Sequence, residues 1–416
     1  MVFRRALLLG SLSIALSAAT LPTSNPEDVG LSGQRLQRVR AVLQRYIDRG
    51  DIAGAVSLVA RKGKVAYFEA QGMADLESKR PLRTDAIFRL ASMTKPVTSL
   101  AIMMLQEEGL LLIDDPVSKY LPEFKSPKVA IANAPNERYG PGYRTVPAET
   151  EITLRQLLTH TAGLASGTGG PTMEMFKTFN AERRPEELLA DYIGKLAALP
   201  LSFQPGDRWE YGPATDVLGR VVEVVSGLDL NRFFRRRILD PLAMKDTSFY
   251  LPDDRLPRLA TAYDKTDAGL VKSNAPGPAS RTGRMYAGAG GLAGTAEDYF
   301  RFCQMLLNGG QLEGTRLVSR KTIEAMTANQ IGPLTLWQDV YRNYGFGLGF
   351  RVRKELGQTQ TLGSKGEYGW GGAHGTYFWI DPAEKTIGIL MIQLRPYAHL
   401  NIRADFQNAV TQAIID

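Results

Sequence analysis

Ser92, Met93, Thr94 and Lys95 place a hydroxyl and an amine three residues apart, and that spacing can do chemistry. A serine hydroxyl is a poor nucleophile until a base takes its proton. Residues three apart on a helix share a face, so the Lys95 amine can reach the Ser92 hydroxyl. Partial burial and the positive end of a helix macrodipole both disfavour an ammonium there, which leaves the amine able to accept a proton. Competing chemistries find less support. His160, His374 and His399 are the only histidines, with no His-Glu-x-x-His pair and no Cys/His cluster at metal spacing, so neither a metal site nor a cofactor is expected. The chain also lacks a Gly-x-Ser-x-Gly elbow and a Walker loop.

A nucleophile of this kind needs a helix start beneath it. From Ser92 onward Val97, Leu100, Ala101, Met104 and Leu105 follow helical spacing, and Gly109 closes the segment. Pro96 has no N–H and would break a helix interior, so it must lie in the first turn, which puts Ser92 at or beside the helix N-terminus. Ile87, Phe88, Arg89 and Leu90 lead into this corner as a sheet-derived segment. Further upstream, the pattern predicts a helix over 34–46 and a hairpin of strands 53–60 and 64–69, turned by Arg61, Lys62 and Gly63. Residues 126–150 are rich in Pro and Gly without a sustained period and read as a long surface excursion. Helical segments follow at 154–160, 185–197, 215–226 and 230–239. After a loop over 274–284 come a glycine-rich turn at 288–294, another helix, strand-like runs at 344–352, 375–380 and 386–393, and a closing helix at 404–415. The ends are therefore α/β, with a mostly helical block inserted between them.

Several segments in order strengthen the reading. The run Phe88-Arg89-Leu90-Ala91-Ser92-Met93-Thr94-Lys95-Pro96 resembles the active-site segment of the serine β-lactamase and penicillin-binding-protein superfamily. Asp114-Asp115-Pro116-Val117, Leu157-Leu158-Thr159-His160-Thr161-Ala162-Gly163-Leu164, Pro205-Gly206-Asp207, and Tyr211 with Asp216-Val217-Leu218-Gly219 are similar to that family in the same order. The resemblance runs from about Leu31 to the C-terminus and is nearest to class C β-lactamases and, more closely, to family VIII carboxylesterases. It implies a β-lactamase/transpeptidase-like fold: an antiparallel sheet flanked by helices, with an α/β subdomain over roughly 31–90 plus 285–416 and a helical subdomain over roughly 91–284.

The resemblance also implies roles. Ser92 attacks the acyl carbon, and Lys95 with Tyr211 forms the proton-transfer pair. The oxyanion would meet the backbone N–H groups of Ser92 and of Ala373, the residue after Trp370-Gly371-Gly372 on an expected edge strand. Glycines there are expected to let substrate approach the backbone closely. Tyr211-Gly212-Pro213 stands where class C enzymes carry Tyr-x-Asn, and Trp370-Gly371-Gly372 where they carry Lys-Thr-Gly. A lysine there would attract a substrate carboxylate, whereas Trp370 offers an apolar face and one N–H donor, which suits a neutral ester. His374 lies beside that strand and is expected to line the pocket, while His160 is expected to be structural. The reading is an esterase acting on a small-molecule ester. β-lactamase, D-amino-acid peptidase or acyltransferase activity on the same residues and a non-catalytic binding module remain the alternatives.

Composition fits these readings. A hydrophobic content of 44% with 22% charged residues is that of a globular protein, and 416 residues suffice for two packed subdomains or one large α/β body. The net charge of +7 falls to +5 without the first nineteen residues, which carry Arg4 and Arg5 and no acid. Those residues read as a signal peptide, with an apolar stretch over 6–16 and Ser17-Ala18-Ala19 as the cleavage site, so export is expected. That stretch is short for a bilayer span, and no stable membrane insertion is expected once it is removed. Arg232, Arg235, Arg236 and Arg237 alternate with apolar residues in a solvated helix face, so no nucleic-acid partner is expected. Cys303, the single cysteine, sits among Phe300, Phe302, Met305 and Leu306 and reads as a buried thiol.

Overall fold

The computed structural model describes residues 21–133, 142–167, 172–184, 186–274, 285–336, 343–357 and 359–416, so the expected signal segment lies outside it, as does nearly all of the 274–284 loop. Strands β1 (Gly54–Arg61), β2 (Lys64–Asp75), β3 (Arg80–Pro81), β4 (Tyr344–Phe346), β5 (Arg351–Arg353), β6 (Tyr368–Gly371), β7 (Tyr377–Asp381) and β8 (Thr386–Met391) form one sheet. Its order is β4-β5-β6-β7-β8-β1-β2-β3, and every pairing is antiparallel. The first and last parts of the chain thus meet at the centre of the sheet. The helices include α1 (Gly33–Asp48), α2 (Lys95–Glu107), α3 (Ala214–Ser226), α4 (Ala296–Leu307) and α5 (Ile402–Thr411).

Alternating side chains sort the sheet into two faces. Ala55, Val59, Tyr377, Trp379 and Leu390 pack with Leu36, Leu43 and Phe406 of α1 and α5. Val56, Leu58, Phe378, Ile380 and Ile389 face the other way and join a core that continues through α4 and α2 into the helical block. All residues of α2 from Lys95 to Leu105 are buried, as expected of a helix apolar on all sides.

The structure revises several expectations. The run at 344–352 is two strands, β4 and β5, joined by a reversal, because Gly345, Gly347 and Gly349 interrupt what reads as one apolar stretch. Within 126–150, Lys128–Ala132 and Tyr143–Pro147 pair as a hairpin, pinned where the Ala130 N–H donates to the Leu201 carbonyl at 2.8 Å. The helical block is not wholly helical. Tyr263–Thr266 and Gly269–Lys272 pair with each other, and the first also pairs with Leu394–Arg395, which ties them to the α/β part. The helix at 230–239 widens to a π-turn over Arg235–Leu239. Three of its arginines are matched by acids: Arg232 with Asp229 at 3.2 Å, Arg235 with Asp240 at 3.2 Å, and Arg237 with Glu108. Cys303 is fully buried on α4.

Candidate active site

The Ser92 corner starts where Phe88–Arg89 pairs with Ala293–Gly294. A 3-10 turn, Ala91–Thr94, follows and runs directly into α2, with Pro96 as its second residue. Ser92 therefore stands at a helix entrance, one residue after Ala91, whose φ of 47° is left-handed for a residue with a side chain. That conformation costs on the order of 1 kcal/mol and persists only where neighbours impose it. Lys95 is 4% exposed. Its Nζ donates to Ser92 Oγ at 3.2 Å and to the Ala289 carbonyl at 2.8 Å.

The glycine-rich segment carrying Ala289 is stitched to two helices. Thr98 Oγ1 donates to the Gly288 carbonyl at 2.7 Å, and the Leu292 N–H donates to Thr94 Oγ1 at 3.1 Å. The Ala289 N–H donates to Asp216 Oδ1 at 2.8 Å. Lys95 and Asp216 thus grip opposite ends of one residue. Burial pushes the Asp216 carboxyl up, against the Ala289 N–H and the Lys95 and Arg183 charges. Sequence reasoning gave Asp216 no role, although a carboxylate beside Val217, Leu218, Val221 and Val222 on the buried side of a helix was the available signal.

Tyr211 precedes α3 by three residues. Lys95 Nζ lies 4.6 Å from its ring centroid, and Trp370 Nε1 donates to its hydroxyl at 3.4 Å. The Trp370 ring is itself buried and meets Phe346 edge-on at 5.2 Å. His160 packs behind Tyr211, with ring centroids 4.8 Å apart, and contacts Trp209 and Phe346. Complete burial and the Lys95 charge hold its imidazole well below the usual range, so it is a neutral wall of the site.

A cleft of about 260 Å³ brings together Ser92, Tyr211, Trp370, Gly371, Gly372 and Ala373. Strand β6 is not an edge strand, since β5 lies outside it. Yet β5 pairs only with Tyr368 and Gly369, so Trp370 and Gly371 run past its end and face the cleft. The glycines also make room for the protein itself. A Cβ on Gly371 would lie 2.6 Å from the Arg403 guanidinium carbon, and one on Gly372 would lie 2.4 Å from the Leu90 carbonyl oxygen. Thr376 Oγ1 donates to that same Leu90 oxygen at 3.1 Å, fastening the β6–β7 turn to the backbone two residues before Ser92. Among the described residues no backbone carbonyl accepts from the N–H of Ser92 or Ala373.

Two expectations change here. His374 is not among the residues lining the cleft. Its carbonyl accepts from Leu394, and burial with the Arg89 and Arg395 charges pushes its imidazole down to about 4. Successive residues of a turn point in different directions, so adjacency to Ala373 is no guide to where His374 faces. The cleft wall is also not free of positive charge, because Arg351 and Arg403 border it. Arg351 Nη2 donates to the Tyr377 hydroxyl at 3.0 Å, and Arg403 Nη2 donates to the carbonyls of Gly372 at 2.7 Å and Thr376 at 2.6 Å. Neither arginine stands in a motif that would have flagged it.

Residues 39–412 match the family described as Beta-lactamase. Protein Rv1367c of Mycobacterium tuberculosis is 35% identical over 368 residues, covering 86% of this chain and 90% of that protein. Esterase EstB of Burkholderia gladioli is 30% identical over 421 residues, 96% of this chain and 99% of its own. The solved structure of EstCE1, described as a hydrolase with promiscuous acyltransferase activity, is similar with a TM-score of 0.78 and 29% identity, covering 91% of this chain and 98% of its own. A family match over that much of the sequence, with relatives aligned almost end to end, makes this chain a member of the β-lactamase family, the serine hydrolases of penicillin-binding-protein-like fold.

Proposed function

We propose that the protein is a carboxylesterase that hydrolyses short-chain, neutral acyl esters through an acyl-enzyme on Ser92. The Ser92 hydroxyl adds to the ester carbonyl while its proton passes to the Lys95–Tyr211 pair. The tetrahedral oxyanion is met by the N–H groups of Ser92 and Ala373, and its collapse releases the alcohol, which leaves with a proton from the same pair. Water then attacks the acyl-enzyme by the reverse proton path and releases the acid. The observation that carries this reading is the 3.2 Å contact between Lys95 Nζ and Ser92 Oγ inside a cleft shared with Tyr211 and Ala373. Two features support a neutral substrate. Trp370 presents an apolar wall, and the bordering arginines are engaged by the protein's own oxygens. Similarity to Esterase EstB points the same way.

Initial rates on p-nitrophenyl butyrate and nitrocefin test the substrate class. The ester is expected to turn over faster, and faster relative turnover of nitrocefin would make the protein a lactamase. A fluorophosphonate probe is expected to label the protein and not Ser92→Ala, whose kcat falls by about 10³-fold or more. Equal labelling of both proteins would favour a binding module. We also propose that the protein is exported, which N-terminal sequencing of the mature form from its native host checks.

A further inference from the structure

We propose that Arg403 is a positioning residue of the oxyanion site: by holding the Gly372 carbonyl it aims and polarises the Ala373 N–H. The inference rests on the reading above, in which that N–H is an oxyanion donor. The Gly372 carbonyl and the Ala373 N–H belong to one peptide unit, and in a trans peptide the two point in opposite directions. Arg403 Nη2 lies 2.7 Å from the oxygen, so the guanidinium stands on the far side of the peptide from the hydrogen. The same nitrogen donates to the Thr376 carbonyl at 2.6 Å, and Nε approaches the Gly375 carbonyl at 3.5 Å. Three carbonyls around one turn therefore point at one cation. The Gly375 N–H closes that turn on the Gly372 oxygen at 3.0 Å, which leaves Ala373 at a position whose N–H faces outward.

Two consequences follow for the donor. Its direction is fixed, because rotating the Gly372–Ala373 peptide would break the charged hydrogen bond. Its N–H is also strengthened, since a charge-assisted bond to the carbonyl polarises the whole amide. The placement of Arg403 is otherwise unfavourable. It is the second residue of α5, whose N-cap Asn401 makes no side-chain cap, and a cation at a helix N-terminus opposes the macrodipole. The guanidinium carbon lies over the Tyr397 ring, 4.0 Å from its centroid, and Gly371 leaves room for it. A local rule broken at a site, with neighbours shaped to keep it broken, marks a functional constraint.

The test is a double-mutant cycle in the full-length protein with Arg403→Met and Ala373→Pro, assayed on p-nitrophenyl butyrate. Proline deletes the donor itself, and Gly372 before it tolerates the change. Ala373→Pro is expected to lower kcat by about 10²-fold, the cost of one oxyanion donor. Arg403→Met is expected to lower kcat at least tenfold with KM changed less than threefold, and to weaken inhibition by butylboronic acid by the same factor as kcat. In the double variant the losses should not multiply, because Arg403 acts only through the donor that proline removes. Arg403→Lys should recover part of kcat, and it carries the test if the Met variant does not fold. Multiplying losses, or a raised KM with kcat intact, would overturn the proposal by making Arg403 a direct substrate contact. Full activity in Ala373→Pro would instead overturn the oxyanion reading beneath it.

Discussion

Replacing Gly372 with alanine perturbs the site by one carbon atom. The new Cβ would sit 2.4 Å from the Leu90 carbonyl oxygen and 2.2 Å from Thr376 Oγ1. The Thr376 hydroxyl can rotate away, but the Leu90 oxygen is backbone and belongs to the residue that starts the nucleophile turn. Restoring a van der Waals separation of about 3.4 Å requires the turn and the nucleophile segment to part by about 1 Å. Ser92 and Ala373 stand on opposite sides of that contact, so their N–H groups separate by a similar amount. A displacement of that size at a reacting centre costs about 10²-fold in rate, or roughly 2.7 kcal/mol. Gly372→Ala is therefore expected to lower kcat on p-nitrophenyl butyrate by about 10²-fold, with fluorophosphonate labelling slowed but retained and near-UV circular dichroism unchanged. More than half of the parent kcat in a folded Gly372→Ala protein would refute the reasoning, since the donors would then tolerate separation.

Three further outcomes are expected. Asp216→Ala leaves the Ala289 N–H without its acceptor and should cost roughly 1–3 kcal/mol of stability in urea unfolding, while Asp216→Asn, which keeps an acceptor, costs less and keeps more of kcat. Asp298, buried on α4, has its carboxyl pushed up from 3.8 to about 6 by burial, despite donors from Asp246 and Thr247. A raised folded-state value means that its contribution to stability is fully present below about 4 and is lost as pH rises through about 6; in urea midpoints between pH 4 and 7, Asp298→Asn should flatten that decline. Burial also pushes the Cys303 thiol up, so native protein should react with Ellman's reagent only as fast as it unfolds. Rapid labelling of the native state would contradict the packing of α4.

The nucleophile corner was legible because its signals are local. The Ser92–Lys95 spacing and the first-turn Pro96 act within one helix entrance, and a hydrogen bond joins the two side chains there. The sheet was legible in part. β1, β2, β7 and β8 show period or continuous apolar runs, whereas β4 and β5 merge in sequence because glycines carry no polarity signal. The roles of Asp216, Arg403 and Thr376 were hidden for a different reason. Each acts on a backbone carbonyl or N–H contributed by a distant segment, and backbone groups have no residue type to read. Gly371 and Gly372 were noticed, but one reason for them was hidden: the protein atoms that need the missing Cβ are an arginine 32 positions on from Gly371 and a carbonyl 282 positions back from Gly372. His374 was misplaced because sequence adjacency says nothing of direction around a turn.

The central pairing of the sheet has a consequence in time. β1 lies against β8 from Val56↔Met391 to Arg61↔Thr386, residues more than 300 positions apart. A ribosome adds about 5–20 residues per second, so the β1–β2 hairpin waits tens of seconds for the strand that completes its neighbourhood. Ser92 and Lys95 are synthesised early, but the turn bearing Ala373 follows Ser92 by 281 residues and the helix bearing Arg403 comes later still. On the proposed mechanism a nascent chain therefore carries its nucleophile, with one oxyanion donor, long before the second donor exists. On that reading catalytic competence waits for the sheet to close, and its onset during synthesis reports that event.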